Sequence, residues 1–266
     1  MTATLLGIIV GLVLGLSGTG GGIIAVPLLV LGLKMSIPQA VPISLMAVGM
    51  AAGVGAAMGL KQGIVRYKAA ALMAITGIVF APAGLWIAKQ LHTEPLTAAF
   101  ACLLLVLGYR TYSRAGQQTH HEMTGEQLPC MLGKARGKFV WSMRCARALS
   151  ISGAGTGLLS GLLGVGGGFI LVPAMQRFTN LPMQSIIATS LAVITLVALA
   201  GIATSAAYSG IAWHYAVPFT GGAVAGMAAG RMFSRKLAAH HLQRAFALVV
   251  IGVALGLVVK IGMAWL

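Results

Sequence analysis

Residues 11–27 read GLVLGLSGTGGGIIAVP, and residues 157–173 read GLLSGLLGVGGGFILVP. Gly15, Gly18, Gly20, Gly21, Gly22 and Pro27 recur 146 positions later as Gly161, Gly164, Gly166, Gly167, Gly168 and Pro173. Each glycine costs a helix interior about 1 kcal/mol, so four in five positions should break the helix at the same place in each half. At the same offset Ser44 aligns with Ser190, Gly84 with Gly230 and Phe100 with Phe246. The chain therefore reads as two homologous halves of four apolar segments. They run at about 4–33, 38–60, 68–90 and 95–113, then 145–176, 183–207, 214–236 and 241–264. The expected organisation is a first membrane repeat over 1–113, a polar, basic connecting loop over 114–144, and a second membrane repeat over 145–266.

Composition fixes the class. Of 266 residues 58% are hydrophobic and 8% charged, against roughly 25% charged in soluble domains. The expected fold is an all-α polytopic membrane protein. Met1–Ala3 lacks a basic n-region and no small-residue cleavage site follows, so the first apolar segment is expected to belong to the mature fold. The net charge of +15 is carried at the ends of apolar segments. That is the orientation signal for membrane insertion, and nucleic acid is not an expected partner. Three acidic residues, Glu94, Glu122 and Glu126, all lie outside the apolar segments. Carriers of cations and protons commonly keep a carboxylate within the membrane despite its cost. Its absence from these segments points to an anionic or neutral substrate.

Two segments are too long for ordinary spans. Residues 4–33 exceed the roughly 20 needed to cross, and the glycine phrase leaves arms of about a dozen residues on either side. A re-entrant hairpin, a hairpin crossing twice, and a broken, tilted span all fit. If each long segment starts and ends on one side, 15 of the 18 basic residues share a side, leaving Lys34, Lys89 and Lys260 opposite. Loop 61–68 is basic whereas its repeat partner 208–214 has no Lys or Arg, and 231–244 is rich where 89–94 is sparse. The positive-inside rule then favours inverted repeats in a bacterial inner membrane, with loop 114–144 cytoplasmic and both termini periplasmic. Tyr67, Trp86, Tyr208, Trp213, Tyr215 and Trp265 cluster near segment ends, as an interfacial belt would. Glycines four apart, as in Gly7/Gly11/Gly15 and Gly222/Gly226/Gly230, are expected to pack helices closely.

A broken backbone within the bilayer is tolerated only where protein buries it or a cavity meets it. The freed N–H groups and the positive end of the following helix then face an anion without any Lys or Arg. Each helix end is worth typically ~0.3–1 kcal/mol, which suits a substrate that must also leave. The candidate site is therefore Gly18, Thr19, Gly20, Gly21 and Gly22 with Gly164, Gly166, Gly167 and Gly168. The competing reading is that these glycines only let helices cross closely. Ser44, Thr189 and Ser190 are hydroxyls at matched depth that would donate to an oxyanion or bond back to their own helices. Ser17 and Thr19 face Leu163 and Val165 at the matching positions, so the two turns are not chemically equal.

Other constellations are weak. His214 reads as an interfacial histidine rather than a proton relay. His120, His121, Glu122 and Cys130 fit no standard ligand spacing, so no metal and no cofactor is expected. Cys102, Cys130 and Cys145 contain no CxxC pair, and neither a disulfide framework nor a thiol relay is expected. No GxSxG, HExxH or Walker motif occurs, and an enzyme is not expected.

GLSGTGGGIIAVP and GLLSGLLGVGGGFILVP, each followed by a small-residue helix and a GI-aromatic loop, resemble the TauE/SafE family, the sulfite exporters. The resemblance covers nearly the whole chain outside 114–144. It implies a secondary transporter, in the exporting direction, of a small sulfur-containing anion such as sulfite or an organosulfonate. The implied substrate region is the same two glycine turns. The expected partners are the substrate anion and the lipid bilayer, with a homodimer compatible with the sequence. The alternatives are a small-anion channel and a non-transporting membrane partner or assembly subunit that docks through loop 114–144.

Overall fold

The computed structural model of the protein describes residues 2–18, 21–90, 101–106, 108–109, 113, 130–132, 139–140, 142–208, 212–234, 248 and 250–258. In the first half the helices are α1 (Thr2–Ser17), α2 (Gly21–Gly32), α3 (Ile37–Lys61) and α4 (Tyr67–Gln90). In the second half they are α5 (Met143–Leu163), α6 (Gly168–Phe178), α7 (Met183–Tyr208) and α8 (Trp213–Ser234). Helical residues at 101–106 and 250–258 fall within the fourth apolar segment of each half. Among the described residues three stretches, Gln39–Lys61, Tyr67–Ala88 and Met183–Thr204, are long and apolar enough to cross a membrane. The protein is an all-α membrane protein.

The glycine-broken segments are hairpins. A Cβ on Gly21 would stand 2.5 Å from the Val10 carbonyl oxygen, and one on Gly32 would stand 2.7 Å from Leu6 Cδ1. The chain thus runs out along α1 and returns along α2. In the second half a Cβ on Gly167 would stand 2.6 Å from the Thr156 carbonyl oxygen, the counterpart of the Gly21–Val10 contact. With 16 and 12 residues, α1 and α2 are about 24 and 18 Å long, and neither reaches across a hydrocarbon core of about 30 Å. Helix α5 is longer, 21 residues, because it starts early at a capped foot: Ser142 Oγ accepts from the Cys145 N–H at 3.1 Å.

The centre is the pair α3 and α7. Gly49 faces Ala198, Gly53 faces Thr195 and Gly59 faces Ala188, so these two helices run antiparallel. They are counterparts at the 146-residue offset, and counterpart helices therefore point in opposite directions. Around them α1 lies on α8 and α4 on α5, both parallel. The two glycine stripes noted in the sequence face one another. Gly7 and Gly11 rest on the carbonyls of Phe219 and Ala223, while Gly222 and Gly226 rest on those of Thr4 and Ile8. The other pair repeats this contact by contact: Gly153 and Gly157 meet the carbonyls of Met73 and Gly77, and Gly84 meets that of Leu158. Without side chains at the crossing, backbones approach closely and dispersion replaces the hydrophobic driving force that lipid does not supply.

One sequence expectation is corrected. Cys130 and Cys145 form a disulfide, S–S 1.99 Å, across 15 positions. The absence of a CxxC motif misled because the partner is brought by a backbone strand. The Cys130 N–H donates to the Phe178 carbonyl at 3.1 Å, and Cys130 bridges Thr179 in parallel. That contact lays residue 130 across the feet of the second hairpin, beside Cys145 at the start of α5. A two-residue antiparallel ladder, β1 (Met131–Leu132) with β2 (Phe139–Val140), follows it. Cys102 is an exposed free thiol. His120, His121 and Glu122, whose spacing fits no metal site, lie outside the described residues, as do Glu94, Glu126 and Trp265.

Candidate functional site

Both turns open with the same backbone event. The Gly18 N–H donates to the Leu14 carbonyl and the Gly164 N–H to the Ser160 carbonyl, each at 2.8 Å. Their φ values are +76° and +68°. A helix ended by a residue in the left-handed region prefers glycine, because a Cβ there meets the neighbouring carbonyl. In the second turn Gly166 (φ +72°) and Gly167 (φ +64°) continue in that region, and Gly167 is the N-cap of α6, offering no side chain to its first turn. Thr19 and Gly20 of the first turn lie outside the described residues.

The two turns meet inside the molecule. A Cβ on Gly22 would overlap the Val165 carbonyl oxygen, which joins the start of α2 to the second turn. A Cβ on Gly166 would stand 3.2 Å from Val48 Cγ1 on α3 and 3.3 Å from Ile194 Cγ2 on α7. Gly18 rests on Ile187 of α7, and Gly164 rests on Val41 of α3. Val41 and Ile187, like Val48 and Ile194, are counterparts at the repeat offset. Each hairpin tip is thus seated on the central helix of the opposite half. Gly18, Gly21, Gly22, Gly164, Gly166, Gly167 and Gly168 are all buried. The described residues of both turns are thus shut away.

The three hydroxyls named from sequence are fully buried and are put to different uses. Ser44 Oγ lies 2.8 Å from the Gly164 carbonyl, and at the same distance from the Val41 carbonyl of its own helix. It ties α3 to the second turn. Ser190, its counterpart, donates to Met175 Sδ at 3.7 Å. Thr189 Oγ1 donates to the Ser185 carbonyl at 2.6 Å and accepts from the Arg66 N–H at 3.1 Å. The structure therefore brings Ser44 to the turns and gives Thr189 to the α3–α4 connection, where Ser185 Oγ also holds the Ile64 carbonyl. Sequence reading missed Thr220, whose buried Oγ1 has no hydrogen-bond partner. It sits on α8 two helical turns before Met227, whose Cε is packed at Gly55 of α3. No motif marks it.

Tyr67, Trp86, Trp213 and Tyr215 are exposed at helix ends, and His214 packs edge-on to Tyr215 with ring centroids 5.3 Å apart. Among the described residues no group of three His, Cys, Asp or Glu side chains lies close enough to hold a metal.

Residues 3–257 match the family described as sulfite exporter TauE/SafE. The chain belongs to that family. A probable membrane transporter protein of Xylella fastidiosa strain Temecula1 is 29% identical over 253 residues, covering 93% of this chain and 90% of that protein. The probable membrane transporter protein YunE of Bacillus subtilis strain 168 is 24% identical, covering 87% of each chain. No solved structure matches significantly. Family membership and the apolar helices together make this a membrane-embedded protein of a transporter family.

Proposed function

We propose that the protein is a secondary carrier that exports a small sulfur-containing oxyanion, such as sulfite or an organosulfonate, by alternating access. The observation that carries the reading is the meeting of the two glycine turns, one from each half, between counterpart helices that run in opposite directions. Inverted repeats with discontinuous helices meeting at the bilayer midplane are the construction that places helix N-termini on an anionic substrate. The first turns of α2 and α6 start at Gly21 and Gly168. Their N-terminal N–H groups carry partial positive charge suited to an oxyanion. The burial of both turns corresponds to the occluded stage of such a cycle, with either hairpin able to withdraw from the facing helix to admit substrate from its own side.

The orientation we propose follows the loop charge: the positive side, with the 114–144 segment, is cytoplasmic. A disulfide is rare there, because cytosolic thiols are kept reduced. The charge asymmetry spans fifteen basic residues, and on the cytoplasmic side Cys130–Cys145 is a bond that closes only under oxidation.

The test is counterflow. Proteoliposomes loaded with unlabelled sulfite are expected to draw in labelled sulfite transiently above its equilibrium level, with competition by sulfoacetate and thiosulfate but not by acetate. Uptake that never saturates and shows no counterflow would make the protein a channel. Loss of cellular function on deleting 114–144 with flux intact would make it a docking subunit.

A further inference from the structure

We infer that the Cys130–Cys145 pair is a redox-sensitive brace that, when closed, fixes the feet of the second hairpin and slows transport, a regulation that rests on the carrier reading and the cytoplasmic placement above. The two arms of that hairpin have different neighbours. Helix α5 packs on α4, with Gly153 and Gly157 at the carbonyls of Met73 and Gly77. Helix α6 lies against α7, where Ser190 donates to Met175 Sδ. Cys145 stands in the first turn of α5, and the Cys130 N–H donates to the carbonyl of Phe178, the last residue of α6. Thr179, the C-cap of α6, bridges Cys130 and returns its own N–H and hydroxyl to the Met175 carbonyl. The S–S bond therefore ties the foot of the arm on α4 to the foot of the arm on α7. With the bond open, Cys130 and Cys145 are joined through 15 positions of chain in place of one covalent bridge, and the two feet can part.

The first hairpin has no such brace among the described residues. Gly32 and Leu33 are the counterparts of Phe178 and Thr179. The Leu33 N–H returns to the Leu29 carbonyl as that of Thr179 returns to Met175, yet no described strand crosses this foot. The chemistry around the second foot suits exchange. Cys145 lies at a helix start between Arg144 and Arg147, an electropositive setting of the kind that exchange-active cysteines occupy. Both cysteines are buried when bonded, so a reagent enters when the neighbouring ladder of Met131–Leu132 with Phe139–Val140 opens. A two-stranded ribbon of that size is not stable alone. The reaction is thiol–disulfide exchange, with a small-molecule disulfide as oxidant. One cysteine thiolate attacks the oxidant's S–S bond and releases a first small thiol. The second cysteine thiolate then displaces the other small thiol as the protein's own S–S bond forms. Two electrons and two protons thus pass from the cysteines to the two small thiols released.

The experiment uses the full-length protein carrying Cys102→Ser, which leaves Cys130 and Cys145 of the three cysteines. It is equilibrated with reduced or oxidised glutathione, reconstituted, and assayed for flux of labelled sulfite. Sulfite opens accessible disulfides, so the bond is scored by mass before and after each run. The closed form is expected to show a maximal rate roughly tenfold lower than the open form, with KM little changed and full recovery on adding dithiothreitol. Further substitution by Cys130→Ser or Cys145→Ser is expected to keep the open-form rate in both buffers. The open form is also reached by reduction alone, so the comparison stands even where a serine variant fails to fold. Equal rates in the two forms, or a bond that stays closed in reduced glutathione, would overturn the proposal and leave a permanent staple. An oxidant effect that persists in the serine variants would overturn it as well. Amide hydrogen exchange at Cys130 and Thr179 separates the brace from the carrier reading. Exchange slowed in the closed form, with no flux in either form, supports the brace and removes the carrier reading alone. Exchange that is the same in both forms overturns the brace.

Discussion

The two hairpin tips open with the same glycine geometry and part company in their surroundings. Gly18 and Gly164 end α1 and α5 in the same left-handed geometry, and each rests on the counterpart valine or isoleucine of the opposite half. The second tip is held by Ser44, apolar at Val165 and flanked by Leu85. The first has Arg231 beside Gly15 where the second has Leu85 beside Gly161, and it carries Ser17, whose hydroxyl bonds back to the Val13 carbonyl at 2.7 Å. The contacts of the two halves match at an offset of 146 residues. The two tips now differ in the side chains around them.

The largest effect that would break this comparison comes from the frame both tips hang on. Gly11→Leu and Gly157→Leu each drive a side chain into a parallel partner's backbone, at Ala223 and Gly77 respectively. Overpacking of this kind costs on the order of 3 kcal/mol or more. Both variants are expected to lose folded protein on detergent size-exclusion chromatography, and to equal extents. Unequal losses would show that the two helix pairs are not equivalent.

Next is Gly166→Ala. Its Cβ meets only Val48 and Ile194, at 3.2 and 3.3 Å, but its φ of +72° strains any L side chain. The expected cost is roughly 1–2 kcal/mol in stability, with transport lost beyond that share. Gly155→Ala, inside α5 where nothing lies within 4 Å, is expected to raise stability by up to about 1 kcal/mol and leave flux unchanged.

The hydroxyl pair sharpens the contrast further. Ser44→Ala leaves the buried Gly164 carbonyl short of a donor and is expected to cost about 1–3 kcal/mol. Ser190→Ala gives up a contact to sulfur and should cost less than about 1 kcal/mol. Equal melting shifts would erase the asymmetry at this level. The smallest effect concerns Cys130 and Cys145. Cells quenched with maleimide are expected to yield both as free thiols, and recovery as a disulfide would place the segment on the oxidising side and reverse the proposed orientation.

Much of this was legible in the residues because glycine and proline punctuate. The doubled GxGGG phrase located both breaks, and the stripes Gly7/Gly11/Gly15 and Gly222/Gly226/Gly230 announced a close crossing. They did not announce that they cross each other, since a stripe carries no address. The hairpin form was likewise open in sequence: arm length alone cannot tell return from tilt, and the contact of Gly21 with Val10 decides it. Thr189 read as a possible ligand because a buried hydroxyl has several uses. The structure gives it to the Arg66 N–H, a pairing across 123 positions that no spacing encodes. The disulfide was missed for the same reason, its halves being joined through a strand contact to Thr179.

The central claim is that the two turns form one anion site. The most direct measurement is initial-rate sulfite uptake against concentration in proteoliposomes of wild type and Gly22→Ala at equal reconstituted amounts. A Cβ on Gly22 enters the contact between the turns at the Val165 carbonyl. The account predicts saturable uptake in wild type, and its loss in a variant that still inserts and runs as wild type on size exclusion. Saturable uptake at the wild-type rate and KM in Gly22→Ala would contradict it.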